Sequence, residues 1–354
     1  MDLLGSLKRF FQPANITNDS LIFRLHYKVT FAILVGCSAV VTMRQYVGDP
    51  IDCIVQGVSP NIMDTFCWFS STFTVPSNLR GRVGRDIVRP GLGNAVPNVD
   101  EITYHKYYQW VCFVLAFQAL LFYVPRFWWK TIENDRMKML SQVLISPIAE
   151  DKAKDNQIKI LVKYFHEHLN HQKSYVFHYV FCEFLNLVNV VAQIFLMNFF
   201  LNGEFLTYGF DVFSDDLLGY NPMDRVFPKM TKCTFHRYGS SGSINVIDGL
   251  CVLAINVINE KIYIFLWFWF ICLALVTAIS LIYRIIVISV AKARYHVLRI
   301  RSKWVSLHDI NDILQRSDIG DWFLLYQLSK NIDPIIFKEF CNQFAMKLHN
   351  KTDV

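Results

Sequence analysis

Four of the nine cysteines stand in two groups, Cys53 with Cys67 and Cys233 with Cys251, and disulfide formation is the chemistry that suits them. Zinc sites usually carry short C-x2-C pairs, whereas 13 and 17 residues intervene here. Four cysteines permit three connectivities, which spacing does not separate. Cys37, Cys112, Cys182 and Cys272 each fall in a long apolar stretch, and Cys341 lies in the tail. His166, His168 and His171 resemble a metal cluster, but they lack the i, i+4 spacing that shares a helix face and read as solvated side chains. Cys233 with His236 is the weaker zinc alternative. Gly91-Leu92-Gly93 is a fragment of a dinucleotide fingerprint without its third glycine or its strand. There is no His-Glu-x-x-His, Gly-x-Ser-x-Gly or phosphate loop. We assign no catalytic, cofactor-binding or metal residue, and the chain reads as a non-enzyme.

The elements that must position the cysteines follow from composition. Of 354 residues, 53% are hydrophobic, 15% aromatic and only 18% charged, and mean hydropathy is +0.28, which is a membrane-protein composition. Four segments carry it, at 23–43, 107–129, 174–203 and 262–290. Residues 107–125 are uncharged, and Tyr107, Tyr108 and Trp110 at one end face Tyr123, Trp128 and Trp129 at the other, as amphipathic aromatics do at headgroup level. Residues 262–283 are also free of charge, and Arg284 follows. Lys28 interrupts the first segment, but Arg24 and Lys28 can snorkel to the interface, and with no small-x-small site before Arg44 the segment reads as an uncleaved span.

Four spans put both termini on one side. Lys and Arg number 4 in the amino-terminal segment, 8 in 130–173 and 10 in the tail from 292, against 6 in 44–106 and 5 in 204–261. The positive-inside rule therefore places both termini in the cytoplasm, although Arg80, Arg82, Arg85 and Arg89 count against it. Cysteine placement agrees: the four candidate disulfide cysteines fall in the two outside loops, and 130–173 has none. The predicted fold is an all-α membrane protein, a four-transmembrane-helix bundle with disulfide-stapled extracellular loops containing short β-strands and a helical cytoplasmic layer. Its parts are an amino-terminal helix at 1–22, the four spans, extracellular loops at 44–106 and 204–261, a cytoplasmic loop at 130–173 and cytoplasmic carboxy-terminal helices at 291–354.

Within these parts, Leu3, Leu4, Leu7, Phe10 and Phe11 fall at helical spacing behind Asp2, which predicts a short amphipathic helix that on its own would lie in the headgroups. Residues 76–100 read as irregular loop. Pro125 should kink or finish the second span. Glu183, Asn186, Asn189 and Gln193 lie close to one face of the third span, where polar groups must meet protein or water; we read them as bonded to neighbouring helices rather than as a conduction path. Lys292, Arg294, Arg299, Arg301 and Lys303 form a juxtamembrane cluster that should attract anionic lipid or simply set topology. Gly320-Asp-Trp-Phe-Leu-Leu-Tyr is expected to open an amphipathic helix, and Asp333-Pro334 to cap the last one.

The run Tyr107-Tyr108-Gln109-Trp110-Val111, opening a span that closes with Tyr-Val-Pro125-Arg, resembles the signature of the innexins, invertebrate gap-junction channel subunits. Arg44 to Cys53, Met63 to Trp68, Asn256 to Phe270 and Gly320 to Tyr326 are also similar to that family, so the resemblance covers nearly the whole chain. Two places depart from it: Thr131-Ile-Glu-Asn replaces the usual Trp-Glu-Gly-Gly, which puts the local loop geometry in doubt, and Ala254-Ile-Asn replaces Pro-Leu-Asn. The resemblance implies disulfides running between the two outside loops, and an amino terminus folded into the pore mouth with Met1, Asp2, Leu3 and Leu4 as pore-lining candidates. It also implies a homo-oligomer, octameric in the family, or a hetero-oligomer with other innexins. Such a ring would sit at a gap junction in the plasma membrane and dock on a hemichannel of the adjacent cell. No cofactor and no nucleic acid is implied. An unpaired hemichannel or a heteromeric modifier subunit would carry the same sequence features. The rival from another class is a four-span adhesion or scaffold protein of the tetraspanin or claudin kind, although the adjacent cysteines of tetraspanins are missing.

Overall fold

The computed structural model describes residues 16–80, 83–85, 87–93, 101–145, 151–214 and 221–349. The amphipathic helix expected at the amino terminus, with Met1, Asp2, Leu3 and Leu4, lies outside the described residues. In chain order the elements are α1 (Leu21–Tyr46), β1 (Asp52–Ile54), α2 (Pro60–Ser70), β2 (Thr72–Thr74), β3 (Thr103–His105), α3 (Val111–Glu133), α4 (Arg136–Ile145), α5 (Asp151–Glu167) and α6 (Lys173–Phe200). There follow α7 (Phe205–Phe213), α8 (Pro222–Val226), β4 (Met230–Tyr238), β5 (Ile244–Val252), α9 (Ala254–Ser289), α10 (Ala291–Arg301), α11 (Leu307–Arg316), α12 (Ile319–Asn331) and α13 (Pro334–His349). Among the described residues four helices, α1, α3, α6 and α9, are long and apolar enough to cross a bilayer.

Local chemistry explains the boundaries. α1 has a π-helical turn over Leu25–Thr30, around Lys28, and Ser20 caps its start by accepting from Phe23 N at 3.2 Å. α3 runs through Pro125 to Glu133, so the proline does not stop the helix. Its break from α4 is made by Asn134 (φ 46°) and Asp135 (φ 54°), the non-glycine types that best tolerate left-handed backbone, and Glu133 accepts from Met137 N at 2.8 Å. The turn thus closes without the two glycines of the family pattern. α6 ends where Asn202 and Gly203 take φ of 52° and 90°.

The chain forms two compact units. The first comprises the described residues within 16–29, 122–188 and 275–349, and its core joins Trp129, Tyr179, Phe165, Phe323, Phe340 and Phe344. In it α4 packs on α5 and α12, α5 on α13, and α11 on α10 and α13. α12 is not the amphipathic helix that its sequence suggests. Gly320 to Leu325 are all buried because α12 packs against both α4 and α10, with Gly320 against the backbone of Gln172 and Lys173. A capping box between Asp318 and Asp321 opens it, and Asp333 Oδ1 accepts from Ile335 N at 2.8 Å at the start of α13.

The second unit comprises residues 30–121 and 189–274. It contains an antiparallel five-stranded sheet in the order β1-β5-β4-β2-β3. Three strands come from 44–106 and two from 204–261, so one sheet is shared by both loops. Helix α2, which the sequence reading did not place, lies on that sheet, and Gly249 leaves room for Met63 to pack there: a Cβ would meet Met63 Cε at 2.4 Å.

Candidate functional site

In the second unit Cys53 and Cys251 face each other in register on β1 and β5 and are bonded, and Cys67 of α2 is bonded to Cys233 of β4. All four are buried. One bond closes the seam between strands from different loops, and the other fastens the helix to the sheet. The zinc alternative for Cys233 with His236 falls away, because a disulfide sulfur offers no thiolate. Asp64 Oδ1 accepts from Cys53 N at 2.7 Å, and burial pushes this carboxyl above its usual range. β4 and β5, nine residues each, continue beyond the stapled end as a hairpin to Tyr238 and Ile244, and Gly242 turns its tip at φ 77°. Tyr238, Ile244 and Val246 are exposed there.

The aromatic motif is built into the same unit. Tyr107–Gln109 form a single 3₁₀ turn before α3 begins. The Tyr108 hydroxyl, fully buried, donates to Cys67 O at 3.2 Å, and its ring lies 5.0 Å from Trp68. Gln109 Nε2 donates to Trp68 O, while Gln45 Nε2 donates to Gln109 O at 3.3 Å. The Tyr107 ring packs edge-on against Phe227. Trp110 is exposed and Val111 buried. The motif is therefore a knuckle that ties the start of α3, the end of α1 and the carboxyl end of α2 beside a disulfide. Nearby, His105 is buried with Nε2 2.8 Å from Thr74 Oγ1, and burial lowers its pKa to about 4, so the ring is neutral at neutral pH. His105 also belongs to the wall of a cavity of about 180 Å³, with Tyr107, Phe200, Glu204 and Arg225.

The first unit holds charges that the sequence reading only half found. Glu183 accepts from Arg284 Nε and from a second guanidinium nitrogen, both at 2.9 Å, and both side chains are over nine-tenths buried. The guanidinium also stacks over Tyr179 at 5.2 Å. Asp19 accepts from Arg24 at 2.9 Å, Arg126 at 3.3 Å and the Tyr27 hydroxyl at 2.7 Å. Asn331 accepts from Thr17 N at 2.6 Å, and Gln327 Nε2 donates to Asn18 O at 3.3 Å. Residues 17–19, which lead into α1, are thereby fastened to α3 and α12. Asn186 is buried, and Gln193 donates to Asn189 at 3.2 Å within α6. A usable signal existed: a lone acid in one apolar span and a lone arginine at the end of another need a partner. Asp19 gave no comparable signal, because it sits outside the apolar run.

Among the described residues, His166, His168 and His171 belong to no cluster of three metal-binding groups; His168 and His171 each bond a backbone carbonyl, of Tyr164 and Leu169. Among the described residues the clusters of metal-binding types are Cys53, Cys67 and Cys251, which are disulfide-bonded, and His308, Asp312 and His349.

These features define a four-span membrane protein whose two large loops are stapled to each other by disulfides. Comparison with known proteins gives the family: the innexin family pattern matches residues 19–348. The chain is 53% identical to innexin inx2 of Drosophila melanogaster over 98% of this chain and 96% of that protein. It is 50% identical to innexin inx2 of Schistocerca americana over 99% of each, and 42% identical to innexin shaking-B of Drosophila melanogaster over 99% and 96%. The chain belongs to the innexin family. Innexins are multi-pass membrane proteins that oligomerise into gap-junction channels, and they are not enzymes.

Proposed function

We propose that this chain assembles into a ring, octameric by family resemblance, that docks with the ring of an adjacent cell and passes ions and small molecules between the two cytoplasms. The ring is homomeric or shared with other innexins and lies in the plasma membrane with both termini cytoplasmic. The observation that carries this reading is the shared sheet: two disulfides join strands and a helix of 44–106 to strands of 204–261, with an exposed hairpin end, as a docking rim requires. Four spans scarcely enclose a wide aqueous path, which argues for several copies around one axis. The distribution of Lys and Arg, and the placement of the four disulfide cysteines in 44–106 and 204–261 with none in 130–173, support cytoplasmic termini. In this arrangement Met1, Asp2, Leu3 and Leu4 line the pore entrance, and Lys292 to Lys303 meet anionic lipid.

Dye transfer between paired cells expressing only this chain tests the proposal, with dye uptake by unpaired cells as the control. Transfer between pairs is the expected result. Surface expression without transfer would overturn it in favour of an adhesion role, and uptake confined to unpaired cells would identify a hemichannel.

A further inference from the structure

His308 and Asp312 stand one turn apart on α11, and α13 brings His349 to the same point from a distant part of the sequence. Asp312 Oδ2 lies 2.9 Å from His308 Nδ1 and 2.7 Å from His349 Nε2, and the three donor atoms all lie within 4.8 Å of one another. The two imidazoles flank the carboxylate oxygen with their rings 6.2 Å apart and 23° from parallel. Beneath them the frame is fixed. Ile310, Ile313, Phe344 and Leu348 are buried where α11 packs on α13, and Arg316 donates to the Leu348 carbonyl. Two neutral nitrogen donors and one carboxylate are the donor set of tetrahedral zinc sites that keep one position for water.

We propose that His308, Asp312 and His349 bind a borderline divalent transition ion, zinc in the cell, and that the ion clamps the end of α13 to α11. Metal–ligand bonds of about 2.0–2.2 Å set tetrahedral donor separations near 3.4 Å, so the ion needs shifts of about 0.5–1.5 Å from the present spacing. The shifts fall to His308 and His349, whose side chains are 75% and 50% exposed, while the Asp312 side chain is 17% exposed. Calcium and magnesium demand six or more oxygen donors and are not served here. The binding includes no chemistry on a substrate: the ion takes the place of the two histidine–aspartate hydrogen bonds, and each ring carries its N–H on the nitrogen that faces away from the ion.

The test uses the full-length chain, purified in detergent and stripped with a chelator. Cobalt(II) titration followed by visible absorption should show one equivalent with a four-coordinate spectrum, and zinc should displace it while magnesium and calcium do not. Zinc should also raise the thermal midpoint. His308→Ala, His349→Ala and Asp312→Asn should each weaken this site at least about tenfold and abolish the zinc-dependent rise. His166→Ala with His168→Ala should change neither. His308 and His349 are exposed and Asp312 is half-buried, and the metal-free melting curve of each variant establishes that it is folded. An unaltered cobalt spectrum and zinc response in the three single variants would overturn the proposal, as would the lack of a cobalt spectrum in the wild type.

Discussion

Glu183 and Arg284 illustrate how much a single pair can demand of its neighbours. Each charge is buried, and each is tolerated because the other supplies two hydrogen bonds at 2.9 Å. Removing one partner strands the other, at a cost of about 3–5 kcal/mol. Glu183→Gln should therefore lower the thermal midpoint in detergent strongly, and Glu183→Gln combined with Arg284→Met should recover part of the loss. Equal midpoints for wild type and Glu183→Gln would show that the pair is not buried in the folded protein. His105 makes a different residue-scale prediction. Its folded pKa of about 4 lies below the ordinary 6.5, so the fold favours the neutral ring. The stability this provides is complete above pH 6.5 and is lost as pH falls toward 4; by pH 5 the loss is about 2 kcal/mol. Melting curves at pH 7.5 and pH 5 should show that difference in the wild type and a flatter dependence in His105→Gln.

At the scale of elements, Gly320 sets how closely α12 approaches the start of α6. A Cβ there would meet Gln172 C at 2.3 Å and Lys173 N at 2.6 Å, both backbone atoms that cannot swing aside. Gly320→Ala should destabilise by about 1–3 kcal/mol, measured as a lowered unfolding midpoint. The four apolar helices were plain in the sequence because bilayer thickness dictates a long uncharged run. α12 was misread because a glycine, two aspartates and a run of large apolar groups do not announce burial on every side. Helix α2 and strands β1 to β3 were also illegible. β1 and β2 are held by pairing with the distant β5 and β4, β3 by pairing with β2, and α2 by lying on the finished sheet; Cys53 is 198 residues from Cys251. The four cysteines were readable as a set; spacing left three pairings open and the resemblance two, until the sheet register placed Cys53 opposite Cys251. His308, Asp312 and His349 were not singled out from the sequence, since His349 reaches the other two only through the packing of α13 on α11.

On the scale of the whole molecule, two bonds spanning 198 and 166 residues fix one loop to the other. Losing such a crosslink typically costs 2–5 kcal/mol. The channel reading requires that rigidity only where two cells meet, so the rim should fail before the membrane helices do. The most direct test is junctional conductance between paired cells that express the wild type or the Cys67→Ser, Cys233→Ser double variant at matched surface density. The account predicts conductance in wild-type pairs and its loss in the variant. Full conductance in the variant, or none in wild-type pairs that display the protein at their surface, would contradict it.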